Sequence, residues 1–510
     1  MAVKLFGAIC IGSVEQELCI YELSKSRGIR LIDRVSKGFP IGNESITEGR
    51  ISYASVEAIC GLLNDFSSIM RSYKVDAYKA YATTALRDAG NREIVVDQIR
   101  VRTGILLNVI YNSEQRYINY KALAAGSRPF SEAIHMGTLV LDTGHGSLQF
   151  SIFNHDALIS TENVQIGAAR LSAELNRASL TDEQRLDRIQ EMVDAELINY
   201  KKLYLKGQEL NSLFGIGENV LYQYWRINEP ALLNQALPAA TVLDACRKIR
   251  GMRLADIEEC LGSGREYAKL LPIAAIYYER IIEITGVQTV YFPGVKFCDG
   301  IAAEYAEKER LFRFGHDFVD DIISESKNMA KRYRCNTPHS LLVENYALQL
   351  FDALKKVSGL SQRDRLLLQI AAILHDCGKF ISIKNADDCG FHIIMSTEII
   401  GLTHAERKII AAVVRYHKAA FNYKEAEDFG APILTAKLTA ILRMASALDR
   451  GQREKLTDMK LSISPKDKEL YVSTTYGGDL TLERLALHEE AGFFEEIFGL
   501  CPVFRQKRRL

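Results

Sequence analysis

Residues 139–150 read LVLDTGHGSLQF: an apolar run ending in a carboxylate, two glycines around a histidine, a serine, and an apolar run again. Apolar segments on either side of a short Gly-rich break predict strand, turn, strand. Such a turn has two readings. It is an ordinary tight Asp/Gly hairpin, or it offers backbone N–H groups to a phosphate while Asp142 at the strand end holds a divalent cation. Residues 5–24, LFGAICIGSVEQELCIYELS, show the same pattern around a turn at Gly12–Ser13. The chain therefore carries this hairpin twice, a faint internal repeat.

Outward from these hairpins the pattern alternates. Tyr53 to Tyr73 has helical spacing, YKAYATTALRDAGN is a strand running into a loop and helix, and ILLNVIYNSEQR is a strand ending in polar residues. Leu171 to Lys206 is helical, SLFGIGENVLYQYW is strand, Gly turn and helix start, and TVYFPGVKFCDGI is a strand with a loop. Strand and helix in alternation predict an α/β architecture to about residue 305. From Phe312 the texture changes: HSLLVENYALQLFDAL, DRLLLQIAAILHD, AERKIIAAVVRYHK and TAKLTAILRMASALDR place apolar residues three and four apart, the signature of a helical domain. MKLSISPKDKELYVSTTYGGDLTLERLAL alternates like strands and ends in a helix, a small α/β cap. A chain of 510 residues holds about three such modules. The expected domains are 1–125, 126–308, 309–454 and 455–510.

Lys plus Arg and Asp plus Glu both number 64, so no global charge points to duplex nucleic acid or an anionic membrane. The basic end, Arg505, Lys507, Arg508 and Arg509, reads as a solvated tail. MAVKLFGAICIG is too short an apolar stretch for a signal peptide, and no segment approaches the ~20 apolar residues of a membrane span. Ten cysteines lie scattered without a CxxC pair, which suggests reduced thiols and a cytoplasmic protein.

The helical part holds the strongest chemical signal. His375 shares a helix face with Ala371 and Leu368, and Asp376 follows it. His339 opens the face of Val343, Tyr346 and Leu350, His417 closes that of Ile409 and Val413, and Asp449 shares one with Ile441 and Ala445. Four helices thus aim polar groups at the core, which costs several kcal/mol each unless a partner or a metal answers them. Imidazole and carboxylate together suit Mn, Fe, Mg or Zn.

LLLQIAAILHDCGK resembles the signature of the HD superfamily of metal-dependent phosphohydrolases. The resemblance implies His339, His375, Asp376 and Asp449 as metal ligands, with His392 in GFHIIMS and His417 in VVRYHK as further ones. It also implies a metal-activated water attacking phosphorus, with Asp376 bridging metal and water and Lys379 and Arg415 steadying the phosphate charge.

Residues 1–305 resemble the exopolyphosphatase and guanosine pentaphosphate phosphohydrolase family, of the actin-like (ribonuclease H-like) ATPase superfold, whose longer members continue into an HD-like domain. The implied fold class is α/β plus α: an actin-like two-subdomain module, an all-α HD domain and the small α/β cap. By this resemblance LDTGHGSLQF is a phosphate loop (Asp142, Gly144, Gly146, Ser147), CIGSVEQ is its partner (Gly12, Ser13), and YATTALRDAGN and GAARL give Arg87 and Arg170 as phosphate ligands. Glu114 is the catalytic glutamate, and the cleft would take Mg. The departures fall on chemistry. Cys10 stands where the first loop has an Asp, and a thiol does not hold a hard cation. Val14, Glu15, Gln115, His145 and Glu218–Asn219 depart as well. The expectation is a hydrolase of phosphate bonds, dimeric, acting on polyphosphate or a phosphorylated nucleotide through the HD site, with the first cleft degenerate. Two alternatives stay open: turnover of polyphosphate or guanosine pentaphosphate at Glu114, and a non-catalytic sensor or scaffold.

Overall fold

The computed structural model describes residues 3–506 apart from 40, 145, 176–178, 218–219, 234 and 263–264. The chain divides into two compact units, Met1–Asp321 and Ile322–Leu510. The boundary expected at 308/309 lies instead at 321/322, because the intervening segment is tied into the first unit. The Phe318 ring meets Tyr117 edge-on at 5.6 Å, and Asp321 pairs with His316 at 2.6 Å and accepts the Leu158 N–H at 3.0 Å.

The first unit contains two mixed sheets of one plan. Strands β1 (Lys4–Ile11), β2 (Glu15–Ser24) and β3 (Gly28–Gly38) form an antiparallel meander, and β4 (Ala77–Ala82) and β5 (Leu107–Val109) extend it in parallel, in the order β3-β2-β1-β4-β5. The second sheet begins with the meander β6 (Thr138–Thr143), β7 (Leu148–Asn154) and β8 (Ala157–Val164). Strands β9 (Ser212–Gly217), β10 (Leu237–Pro238) and β11 (Thr289–Tyr291) complete it in the order β10-β11-β9-β6-β7-β8, with β9 parallel to both β6 and β11. The hairpin repeat seen in the sequence is thus a repeat of sheet topology.

Burial explains why the quoted stretch reads as it does. Every residue of β6 is buried, as befits a strand with neighbours on both edges, whereas edge strand β3 has no buried residue. Helix Tyr53–Ser72, capped by the Ser52 hydroxyl accepting the Ser55 N–H, buries Val56, Ile59, Leu63 and Phe66 against the first sheet's core. Each such side chain contributes about 1.5–3 kcal/mol. Helices Asn112–Gly126 and Phe297–Lys308 approach so closely that a Cβ on Gly300 would lie 2.1 Å from the Ile118 carbonyl oxygen.

The second unit packs helices Thr337–Ser358, Gln362–Leu374, Ala386–Ser396, His404–Tyr416 and Pro432–Ala447 around an apolar core. Ser361 with Asp364, and Thr403 with Glu406, close reciprocal caps that start the second and fourth of these. The C-terminal α/β element belongs to the same compact unit: β12 (Lys460–Ser464) and β13 (Glu469–Thr474) pair antiparallel, and β14 (Cys501–Gln506) joins β13 in parallel. Arg505, though exposed, lies in β14 with its guanidinium 3.4 Å above the Tyr471 ring, so it belongs to a strand and not to a tail; residues 507–509 lie outside the described ones. No helix among the described residues is long and apolar enough to cross a membrane.

Candidate functional site

Two of the helices in the second unit end in a histidine that fastens itself the same way. His375 closes helix Gln362–Leu374 with Nδ1–H donating to the Ala372 carbonyl at 2.7 Å, and His417 closes helix His404–Tyr416 with Nδ1–H donating to Val414 at 2.7 Å. A carbonyl only accepts, so each neutral ring carries its lone pair on Nε2. His339 reaches the same state through Asp449, whose Oδ2 lies 2.7 Å from its Nδ1. The consequence is chemically pointed. The Nε2 atoms of His339 and His375 face each other at 3.3 Å, lone pair to lone pair, and the buried Nε2 of His417 has no hydrogen-bond partner among the described residues. The ring centroids stand in series, 5.2 Å from His339 to His375 and 5.3 Å from His375 to His417. Ligand atoms of His339, His375 and Asp376 lie within 4.8 Å of one another. A cation would answer the His339, His375 and Asp376 donors, which otherwise leave buried acceptors facing each other.

Burial outweighs the upward pull of the Asp376 carboxylate and pushes the His375 and His417 rings down to about 4 and about 3, so both are neutral, as ligands must be. Burial alone would raise the Asp376 carboxyl, but His375 and the ammonium groups of Lys379 and Lys418 outweigh it and hold the group below the usual carboxylate range. Lys379 donates to Asp376 Oδ2, and Lys418 Nζ lies 3.6 Å from Oδ1.

Three expected members of this set sit elsewhere. Asp449 stands at the Nδ1 of His339, not beside the Nε2 atoms, and its Oδ1 accepts the N–H groups of Arg453 and Glu454 at 3.1 and 3.0 Å, so it orients the ring from behind. His392 is exposed, because helix Ala386–Ser396 buries the face of Ala386, Gly390 and Ile394, opposite to it. Arg415 is spent on Asp388 at 2.8 Å and on Glu425, away from Asp376.

The second candidate site lies in the first unit. The first turn is closed by Gly12 N–H donating to the Glu15 carbonyl at 3.0 Å, and Gly42 N–H donates to the Ser13 carbonyl at 2.8 Å. In the second turn Gly144 N–H donates to the Ser147 carbonyl at 3.0 Å, and a Cβ on Gly146 would meet Thr84 Cγ2 at 3.4 Å, so this turn faces the Arg87 segment. His145 lies outside the described residues, as do Glu218 and Asn219. Arg87 donates to Thr84 Oγ1 at 3.0 Å and to the Ile110 carbonyl at 3.3 Å. Glu114, expected at the end of a strand, instead occupies the first turn of helix Asn112–Gly126 and accepts the Tyr111 N–H at 3.4 Å, since β5 ends at Val109. Asp142 is buried and accepts from Asn119 Nδ2 at 2.6 Å. Arg170 belongs to a helix packed on Ile41–Glu48, and its buried Nε has no partner among the described residues. Burial would raise the Glu15 carboxyl, but Lys296, 3.2 Å away, outweighs it and holds the group below its usual range.

The model described as "Ppx/GppA phosphatase family" matches residues 20–301, and that of "Ppx/GppA phosphatase, domain III" matches 324–491. The chain belongs to the Ppx/GppA phosphatase family. Among relatives, a guanosine-5'-triphosphate,3'-diphosphate pyrophosphatase of Aeromonas hydrophila is 22% identical over 451 residues, 87% of each chain. Exopolyphosphatase 1 of Mycobacterium tuberculosis is 22% identical over 191 residues, 38% of this chain and 54% of that one. In fold, the exopolyphosphatase of Cytophaga hutchinsonii covers 60% of this chain and 98% of its own at a TM-score of 0.52 and 18% identity. The Ppx/GppA family member of Aquifex aeolicus covers 60% and 99% at 0.50 and 18%. These likenesses support an actin-like fold with a helical C-terminal region.

This Ppx/GppA chain also places residues that sequence reasoning passed over beside the two candidate sites. Arg116 is 1% exposed and donates from Nε to Gln149 Oε1 at 2.9 Å. Gln149 stands opposite Asp142 in the β6–β7 register, so Arg116 and Asn119, one helical turn apart, grip the two strands below the β6–β7 turn. That i, i+3 pair of polar residues on a buried face was the available signal. Lys418, next to His417, left none.

Proposed function

We propose that this chain hydrolyses phosphoanhydride bonds of inorganic polyphosphate or of a guanosine polyphosphate nucleotide, and that an HD-type site in the helical unit holds the divalent metal that serves catalysis. The observation that carries the reading is the pair of Nε2 atoms facing each other at 3.3 Å with both tautomers fixed from behind. His339, His375 and His417 through Nε2, with Asp376, would hold Mn, Fe, Mg or Zn, and the three imidazoles favour Zn, Fe or Mn. When bound, such a cation supplies Lewis acidity toward a phosphoryl oxygen and acidifies a water. Asp449 fixes the His339 ring. Lys379 and Lys418 place two ammonium groups beside Asp376, where the charge of a phosphate gathers. The relatives named as a guanosine-5'-triphosphate,3'-diphosphate pyrophosphatase and as an exopolyphosphatase suggest the substrate class.

The second reading places turnover in the first unit at Glu114, with a Mg ion near Asp142; it is favoured by Arg170, whose buried Nε is left without a partner. Phosphate release from polyphosphate and from guanosine pentaphosphate, measured for Asp376→Ala and Glu114→Gln, separates the two. Activity lost in Asp376→Ala and kept in Glu114→Gln supports the helical site, and the reverse moves catalysis to Glu114. Ligand binding with no turnover in wild-type protein loaded with each metal would favour a sensor. A homodimer is part of the proposal, checked by sedimentation.

A further inference from the structure

One other group of side chains among the described residues gathers ligand atoms tightly enough for an ion. The Glu17 carboxylate and the thiols of Cys19 and Cys298 lie within 4.8 Å of one another, all three buried. Strand pleating builds half of it. Glu17 and Cys19, two apart on β2, point to one face, and Cys10 stands directly opposite Glu17 in the β1–β2 register and shares that face. Helix Phe297–Lys308 covers the face and delivers Cys298 from its first turn; Cys10, Cys19 and Cys298 belong to one packed layer.

Buried thiols usually serve as small apolar fillers, but here a charged carboxylate lies among them. Two cations border the group. Arg34 Nε–H donates to Cys19 Sγ at 3.3 Å and lies 3.9 Å from Glu17, and Lys296 Nζ lies 3.0 Å from Glu17. If two thiols release their protons and one divalent cation enters, the formal charge of the layer does not change. Arg34 and Lys296 then still balance the carboxylates they balance now. Sulfur with one carboxylate selects a borderline-soft ion over magnesium or calcium.

We propose that Cys19, Cys298 and Glu17 form a site for a soft divalent metal of the zinc class that fastens helix Phe297–Lys308 to the first sheet. On this view Cys10, which stands where the family resemblance expects a hard carboxylate, lies on the same sheet face as a site of different softness.

The test uses full-length reduced protein titrated with Co(II) or Cd(II), which show a thiolate-to-metal charge-transfer band that a His/Asp site does not produce. The expected result is a band at one equivalent, lost in Cys19→Ser/Cys298→Ser and retained in His375→Ala. Glu17→Gln, which keeps the thiols in place should the double variant fail to fold, is expected to keep the band and bind at least tenfold more weakly. No band in wild type overturns the proposal. So does a band that survives Cys19→Ser/Cys298→Ser, or one that Cys335→Ser/Cys377→Ser abolishes.

Discussion

Replacing His417 by leucine separates what the helical site costs from what it can hold. In metal-free protein the ring is buried with Nε2 lacking a partner among the described residues, a condition that costs about 1–3 kcal/mol, while its Nδ1–H bond to Val414 returns about 1 kcal/mol. Leucine removes both, so the metal-free variant is expected to match wild type or exceed it by up to about 2 kcal/mol. Metal reverses the ranking. At 100 times its Kd a ligand of the native state adds ~2.7 kcal/mol, and if the lost imidazole weakens binding ~100-fold the variant keeps only ~0.4 kcal/mol. The difference of ~2.3 kcal/mol corresponds to about 5–9 °C in Tm for a unit of this size. Thermal unfolding of both proteins, first with chelator and then with Mn, Fe or Zn, measures it. An equal rise in the two, or none in wild type, refutes the assignment of His417 as a ligand; a metal-free variant several kcal/mol less stable shows that Nε2 has a partner after all.

Acid should weaken the metal-free protein in a defined window. His375 and His417 sit at about 4 and about 3 in the fold against 6.5 in the unfolded chain. The unfolded chain therefore binds more protons below 6.5; the stability these rings contribute is full above that pH and lost as pH falls toward 4 and 3. Roughly 2 kcal/mol per ring is gone by pH 5, and urea unfolding midpoints that agree at pH 7 and pH 5 would contradict it. Lys418→Met, which keeps the stem and removes one of the two ammonium groups beside Asp376, should lower kcat/KM about 10–100-fold, the worth of a charged hydrogen bond. Arg415→Met, whose charge is already answered by Asp388 and Glu425, should change kcat/KM about twofold at most, and equal losses in the two would remove Lys418 from the site. Gly217→Ala meets two obstacles: φ is +89° there, and the new Cβ would lie 2.2 Å from Asp142 Oδ1. It should destabilise the first unit by at least ~1–2 kcal/mol and displace Asp142, which unfolding curves and phosphate-binding calorimetry would report.

The sheets were legible because a strand's side chains alternate with period two, and no tertiary contact is needed to read LVLDTGHGSLQF as strand, turn, strand. Helix faces were legible wherever apolar spacing was continuous, as at His339 and His375. Not every residue near an element's end was. Glu114 follows a strand of three residues, and only the Tyr111 N–H on its carboxylate reveals that the helix has already begun. His392 failed for a geometric reason: two residues past the buried Gly390 is about 200° round a helix, so correct order in the sequence put it on the wrong face.

Pairings across elements were beyond a single sequence, and they change the meaning of residues already noticed. Asp449 has the right type for a ligand, yet both its oxygens are committed to His339 and to backbone N–H groups. Arg415 has the right charge for phosphate, yet two carboxylates hold it elsewhere. Conversely, Glu15 and Cys10 read as damage when compared with a phosphate loop residue by residue. In the fold Glu15 is answered by Lys296, and Cys10 shares a face with Glu17 and a packed layer with Cys19 and Cys298. A substitution that removes one kind of chemistry from a turn can be part of another on the strand beneath it, and only the register shows which residues stand together.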